Sequence, residues 1–133
     1  MITIEQLKEI QQRADKLKQY LAIDEKRVQL EEEELRTQDP GFWEDAKAAE
    51  AQMRKVKSIK AWIEGYEGVR AATEELQLAF DYCKEELVTE DEVDAAYAHA
   101  LKEVEALEMK NMLSHEEDQM PAVLKIVSGA GGT

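Results

Sequence analysis

Few residues in this chain have types and spacings that could do chemistry. His115, Glu116, Glu117 and Asp118 are four potential metal ligands in a row, but we read them as a solvated polar loop rather than a site. A di-iron bundle needs Glu-x-x-His pairs facing inward; His99 follows Ala96 by three residues and His115 follows Met112, so that motif is absent. Cys83 is the single cysteine, which excludes an internal disulfide and a multi-cysteine zinc site. It falls on an apolar stripe, as a buried structural thiol does. Gly129, Ala130, Gly131, Gly132 and Thr133 are rich in glycine, as phosphate loops are, but no Lys-Ser/Thr follows. Carboxylates abound, yet none is set beside a partner for acid–base work and no nucleophile stands with a base. The chain is expected not to be an enzyme by itself: no residue is assigned a catalytic, cofactor-binding or metal-binding role.

Binding chemistry has more to work with. Arg54, Lys55, Lys57 and Lys60 form one basic cluster, and Arg13, Lys16 and Lys18 another. Such clusters mostly pair with Glu on neighbouring helices; their alternative use is contact with RNA or an acidic partner. Phe42 and Trp43 are adjacent large aromatics in a connection, where polar residues are the default. The preferred reading is a hydrophobic plug over the end of a helical hairpin, and the alternative is an exposed aromatic contact for a partner.

Composition narrows the background. The 133 residues include 30 Asp+Glu against 17 Lys+Arg, a net charge of −13, and 44% are hydrophobic. That is enough apolar content for a core, and too much negative charge for a general nucleic-acid binder. No run of about 20 apolar residues could cross a membrane and the start is no signal peptide, so a cytoplasmic protein is expected. With 6 Gly and 2 Pro there is too little punctuation for a sandwich or barrel, which turns about every 8–12 residues.

The elements that position these residues are helices. Leu7, Ala14, Leu21, Val28 and Leu35 repeat at seven, with Ile10 and Leu17 as a second row, predicting one amphipathic coiled-coil-like helix from Ile4 to Leu35. Asp24 and Glu31 break the second row, so its later half is expected to be partly solvated. Glu31, Glu32, Glu33 and Glu34 read as a solvated face. Pro40 stops the helix, and Asp45 is placed to cap the next. From Asp45 to Leu87 apolar residues advance by threes and fours, predicting a helix of roughly 60 Å. Gly65 and Gly68 near its middle imply close approach of an opposing helix, or a bend. Thr89 to Glu92 has the form of a capping box, opening a third helix that ends near Leu113 and folds back antiparallel. Ala122–Val127 reads as a strand. The expected fold is therefore all-α, an antiparallel helical bundle or coiled-coil-like hairpin of three long helices. Residues 1–113 form the helical domain, and 114–133 form a linker and the first strand of a truncated second domain.

Several of these segments also carry a family likeness. Arg13, Ala14, Asp15, Lys16, Leu17, Tyr20, Leu21 and Glu31, then Phe42, Trp43, Glu44 and Asp45, resemble the start of the bacterial peptide chain release factor 2 family, a class I release factor family. Val123, Leu124, Lys125 and Ile126, followed by Gly129 to Thr133, are similar to that family's entry into its second domain. The type 1 sister family typically has Gly-Gly-Asp where Gly131, Gly132 and Thr133 stand here. The resemblance spans the whole chain in order and spacing.

It implies the N-terminal helical domain of a factor that directs termination at UAA and UGA codons and triggers peptidyl-tRNA hydrolysis. The family's Ser-Pro-Phe codon-reading tripeptide and Gly-Gly-Gln loop occur nowhere in this sequence, and Gly131-Gly132-Thr133 is not that loop. The implied role is noncatalytic ribosome docking. Its implied partners are the stalk-base protein and ribosomal RNA of the factor-binding centre, with the GTPase class II release factor as a further one. Stop codons in mRNA would be met only through downstream domains. The reading that stands beside it is a free-standing helical coiled-coil adaptor or scaffold, motivated by the heptads.

Overall fold

The computed structural model describes residues 1–119, and helices account for most of them. They are α1 (Ile4–Tyr20), α2 (Ile23–Arg36), α3 (Ala46–Lys84) and α4 (Glu90–Gln119), with a 3-10 turn at Phe42–Glu44 between α2 and α3. The expected all-α antiparallel bundle forms. The expected strand at Ala122–Val127 lies outside the described residues.

The helix predicted from Ile4 to Leu35 is in fact two. The chain breaks at Ala22, which takes a left-handed conformation with φ 49° and ψ 52°. The reason lies in the apolar row. Leu7, Ala14, Leu17 and Leu21 are buried, but an unbroken helix would turn Asp24 into the next core position. The break re-aims the chain so that Ile23 is fully buried instead, while Asp24 stays exposed. Burying an unpaired carboxylate costs far more than one strained residue. Val28 and Leu35, assigned to the same row, consequently end up 57% and 58% exposed.

The start of α1 holds a capping box that the sequence reading overlooked. Thr3 Oγ1 accepts from the Gln6 amide at 3.2 Å, and the Thr3 amide donates to Gln6 Oε1 at 2.8 Å. At Thr89 the hydroxyl likewise accepts from the Glu92 amide, at 3.2 Å.

Helix α3 is the spine. Its 39 residues span about 58 Å. Asp45 caps it as expected, its Oδ1 accepting from the Ala48 amide at 3.1 Å. It ends in a Schellman motif: the Leu87 amide donates to the Tyr82 carbonyl at 2.9 Å and the Glu86 amide to the Cys83 carbonyl at 3.0 Å. Glu86 occupies the left-handed position, φ 61°, that glycine usually takes. The tight turn sends α4 back antiparallel.

Helix α4 runs beyond its predicted end. Ser114–Gln119 is helical rather than a loop, so the boundary drawn at Leu113 does not coincide with a helix terminus.

Along its second half, α3 is packed by α1 and α4 around one core. Ile10, Leu17, Val69, Leu76, Phe80, Val93, Val104 and Leu107 belong to it, each worth roughly 1.5–3 kcal/mol of transfer free energy. Gly65 sits tightly against α4: a Cβ there would lie 3.1 Å from Leu107 Cδ1. Of the two expectations, close approach or a bend, the close approach is met at this glycine.

Along its first half, α3 pairs with α2 as a two-helix arm. Ala49, Val56 and Ile59 are buried there, outside the main cluster. The inner positions of α2, at Ile23, Lys26, Leu30 and Glu33, and its C-cap Thr37 advance by threes and fours and are at least partly buried. Trp62 marks the junction of arm and bundle, with Lys26 Nζ of α2 at 6.0 Å and Lys110 Nζ of α4 at 4.5 Å from its ring centre.

Candidate interaction surface

The basic cluster on α3 is largely neutralised by the arm itself. Lys55 Nζ lies 3.2 Å from Glu33 Oε1, Lys60 Nζ 3.3 Å from Glu34 Oε2, and Arg54 Nη1 3.3 Å from Glu50 Oε1. Pairing with nearby Glu was the expected use, and these three residues show it. Lys57 stands outside these pairs. It borders a shallow apolar strip floored by Met53 and Val56 and edged by Glu50, Arg54 and Lys60.

The α1 cluster divides in the same way. Arg13 forks onto Glu108 of α4, Nε reaching Oε2 at 3.1 Å and Nη2 reaching Oε1. That pairing raises the arginine's already high pKa. Lys18 lies 3.9 Å from Asp24 across the Ala22 break. Lys16 borders a groove between α1 and α4 with Leu17, Tyr20, Asn111 and Met112.

One carboxylate was misread. Glu33, taken as part of a solvated run of four, is only 5% exposed. Its backbone carbonyl accepts from Gln52 Nε2 at 3.1 Å, and its carboxylate accepts from Gln52 and from Lys55. The Gln52 hydrogen bond, helped by Lys55 and Arg36, holds its pKa below the ordinary 4.5. Burial in the arm seam is compatible with charge because the carboxylate is satisfied on both sides. Glu31 and Glu32 remain exposed. Only the three-and-four spacing from Ile23 could have singled out Glu33.

The arm ends in an aromatic tip. Phe42 is partly buried, but Trp43 is 61% exposed, so the pair is not the plug that was expected. The rings meet edge-on, with centres 4.7 Å apart and planes at 88°. The turn beneath is pinned: the Gly41 amide donates to Asp39 Oδ1 at 2.9 Å and the Phe42 amide to the Asp39 carbonyl at 2.9 Å. Trp43 is flanked by Asp39, Glu44 and Asp45, with no Lys or Arg between Thr37 and Ala46.

Among the described residues, no group of three or more His, Cys, Asp or Glu is placed to hold a metal. His115 is exposed on α4. Cys83 is partly rather than fully buried, its Sγ 3.6 Å from Met1 Sδ. Among the described residues no helix is long and apolar enough to cross a membrane.

What the arm, spine and fold-back helix correspond to is decided by comparison. The family model for the PCRF domain matches residues 25–133, more than half of the chain. The chain belongs to the PCRF domain family. The match begins two residues into α2, so it takes in nearly all of the two-helix arm. This PCRF domain chain is 32% identical over 134 residues to peptide chain release factor 2 of Pseudoalteromonas translucida, covering 98% of the chain and 36% of the relative. It is 34% identical over 129 residues to peptide chain release factor 2 of Acidithiobacillus ferrooxidans, covering 94% and 35%. Peptide chain release factor 2 of Frankia casuarinae is 27% identical over 128 residues, covering 96% and 34%. The PCRF domain chain thus spans about a third of the length of these relatives. The family resemblance read from Arg13–Leu21 and Phe42–Asp45 is therefore upheld.

Proposed function

We propose that this chain is the noncatalytic, ribosome-docking helical part of a translation termination factor of the release factor 2 type, working in the cytoplasm. The observation that carries the proposal is the likeness to release factor 2 over nearly the whole chain. In this reading the complete protein acts at UAA and UGA codons, and residues elsewhere in it read the codon and promote peptide release. The helical domain extends through α4 to at least Gln119, and the residues beyond it lead into the next domain. Its partners are the stalk-base protein and ribosomal RNA of the factor-binding centre, and the GTPase class II release factor. An acidic body with its cations paired across helix seams fits docking through shape and protein contacts better than an electrostatic grip on RNA.

The alternative of a coiled-coil adaptor rested on a seven-residue repeat through Leu35. That repeat does not survive the break at Ala22.

The test compares the protein expressed from its complete reading frame with residues 1–133 alone, on ribosomes stalled at UAA or UGA. The complete protein is expected to release peptide, and residues 1–133 to release none. Release by residues 1–133 alone, or none by the complete protein, would overturn the assignment.

A further inference from the structure

We propose that the tip of the arm is a docking knob, with Trp43 entering an apolar pocket rimmed by Lys or Arg on a partner protein. The inference rests on the ribosome-docking reading and names the kind of surface that the arm meets.

Fold stability does not account for Trp43. The tip aromatics lie outside the core cluster, and the larger of the two is left mostly in water. An aromatic of this size buries about 150–250 Å² when covered, and tryptophan is the residue type most concentrated among dominant interface contacts.

The tip is also presented rigidly, which lowers the entropy lost on docking. Asp39 ties down the turn on one side, and Asp45 caps α3 on the other. Phe42 backs the indole edge-on. Below the tip, Glu33 clamps α2 to α3 through Gln52 and Lys55. The ring stands just before the start of a helix about 58 Å long, whose second half is packed in the bundle.

Charge selects the partner. Asp39, Glu44 and Asp45 are the charged residues of the tip segment, which holds no Lys or Arg between Thr37 and Ala46. A phosphate backbone would be repelled there, whereas a protein pocket with a cationic rim is complementary.

The experiment uses the protein from its complete reading frame and purified ribosomes at fixed salt. Trp43→Ala is expected to weaken ribosome binding at least about tenfold while leaving helicity unchanged, with Trp43→Phe recovering part of the loss. With the photo-crosslinker benzoylphenylalanine in place of Trp43, the adduct is expected on a ribosomal protein, sensitive to protease and resistant to ribonuclease. An adduct on ribosomal RNA, or unchanged affinity of Trp43→Ala while the wild type binds, overturns the knob alone. Failure of the wild type to bind ribosomes overturns the knob and the docking reading together.

Discussion

Gly65 of α3 and Leu107 of α4 pack so closely that a Cβ on Gly65 would stand 3.1 Å from Leu107 Cδ1, which would have to give by a few tenths of an ångström. Three residues on, a Cβ on Gly68 would meet only Glu103 Oε2, at 3.4 Å, the mobile end of a long side chain. Two glycines in one helix thus answer to different constraints.

Gly68→Ala should stabilise the protein by about 0.5–1 kcal/mol through helix propensity and a less flexible unfolded chain. Gly65→Ala should fall short of that by about 1 kcal/mol or more, because buried Leu107 must move within a filled core. Urea denaturation of the two variants decides it; equal midpoints would refute close packing at Gly65.

The two left-handed residues give the opposite kind of gain. Glu86→Gly and Ala22→Gly should each stabilise by about 1 kcal/mol, since glycine takes a positive φ without the Cβ clash. A lowered denaturation midpoint for Glu86→Gly would contradict the Schellman geometry at the end of α3.

Core truncations should grade with depth. Leu76→Ala, fully buried between α3 and its neighbours, should cost about 2–5 kcal/mol. Ile63→Ala, on the same helix but only partly buried, should cost clearly less. Thermal or urea unfolding of both variants checks the order, and a reversed order would misplace the buried face of α3.

The arm should be acid-sensitive through Glu33. Its pKa is lower in the folded protein than the ordinary 4.5, so the unfolded chain binds its proton first. The stabilisation is complete above about pH 4.5 and is lost as the pH falls through the lower folded value. Glu67, held down by Arg70 and Arg27, acts in the same direction. Glu33→Gln should therefore flatten the fall in melting temperature between about pH 5 and pH 3 relative to the wild type. An unchanged slope would show that the carboxylate is not held charged in the seam.

Much of the fold was legible because helical periodicity reports burial directly. The α3 stripe was read as Ala49, Met53, Val56, Ile59, Ile63, Tyr66, Val69, Thr73, Leu76, Phe80, Cys83 and Leu87; eight of these are buried, Ile63 and Cys83 are only partly buried, Met53 is exposed, and Leu87 is exposed beyond the end of the helix at Lys84. The cap at Asp45, the antiparallel return of α4 and the close approach at Gly65 were readable for the same reason. Each depends on a short-range pattern of residue types. The chemistry of the surface was less so, because it depends on which residues from distant segments meet.

By itself, the sequence determined an acidic all-α bundle with a long central helix, and a likeness to release factor 2. Those properties follow from composition, from three-and-four spacing and from runs of residues shared in order. Tertiary structure alone decided where the first helix breaks, which of four consecutive glutamates is buried, and that Trp43 faces solvent. Ala22 is a good helix former, and nothing local asks it to adopt φ 49°. It does so because burying Ile23 rather than Asp24 is the better exchange once α3 and α4 are in place. Glu33 shares the inner register of α2 with Ile23, Lys26 and Leu30, but its burial as a charged group depends on Gln52 and Lys55 opposite it. Partners brought in from elsewhere in the chain set the free energy of these residues, and local spacing alone does not name those partners.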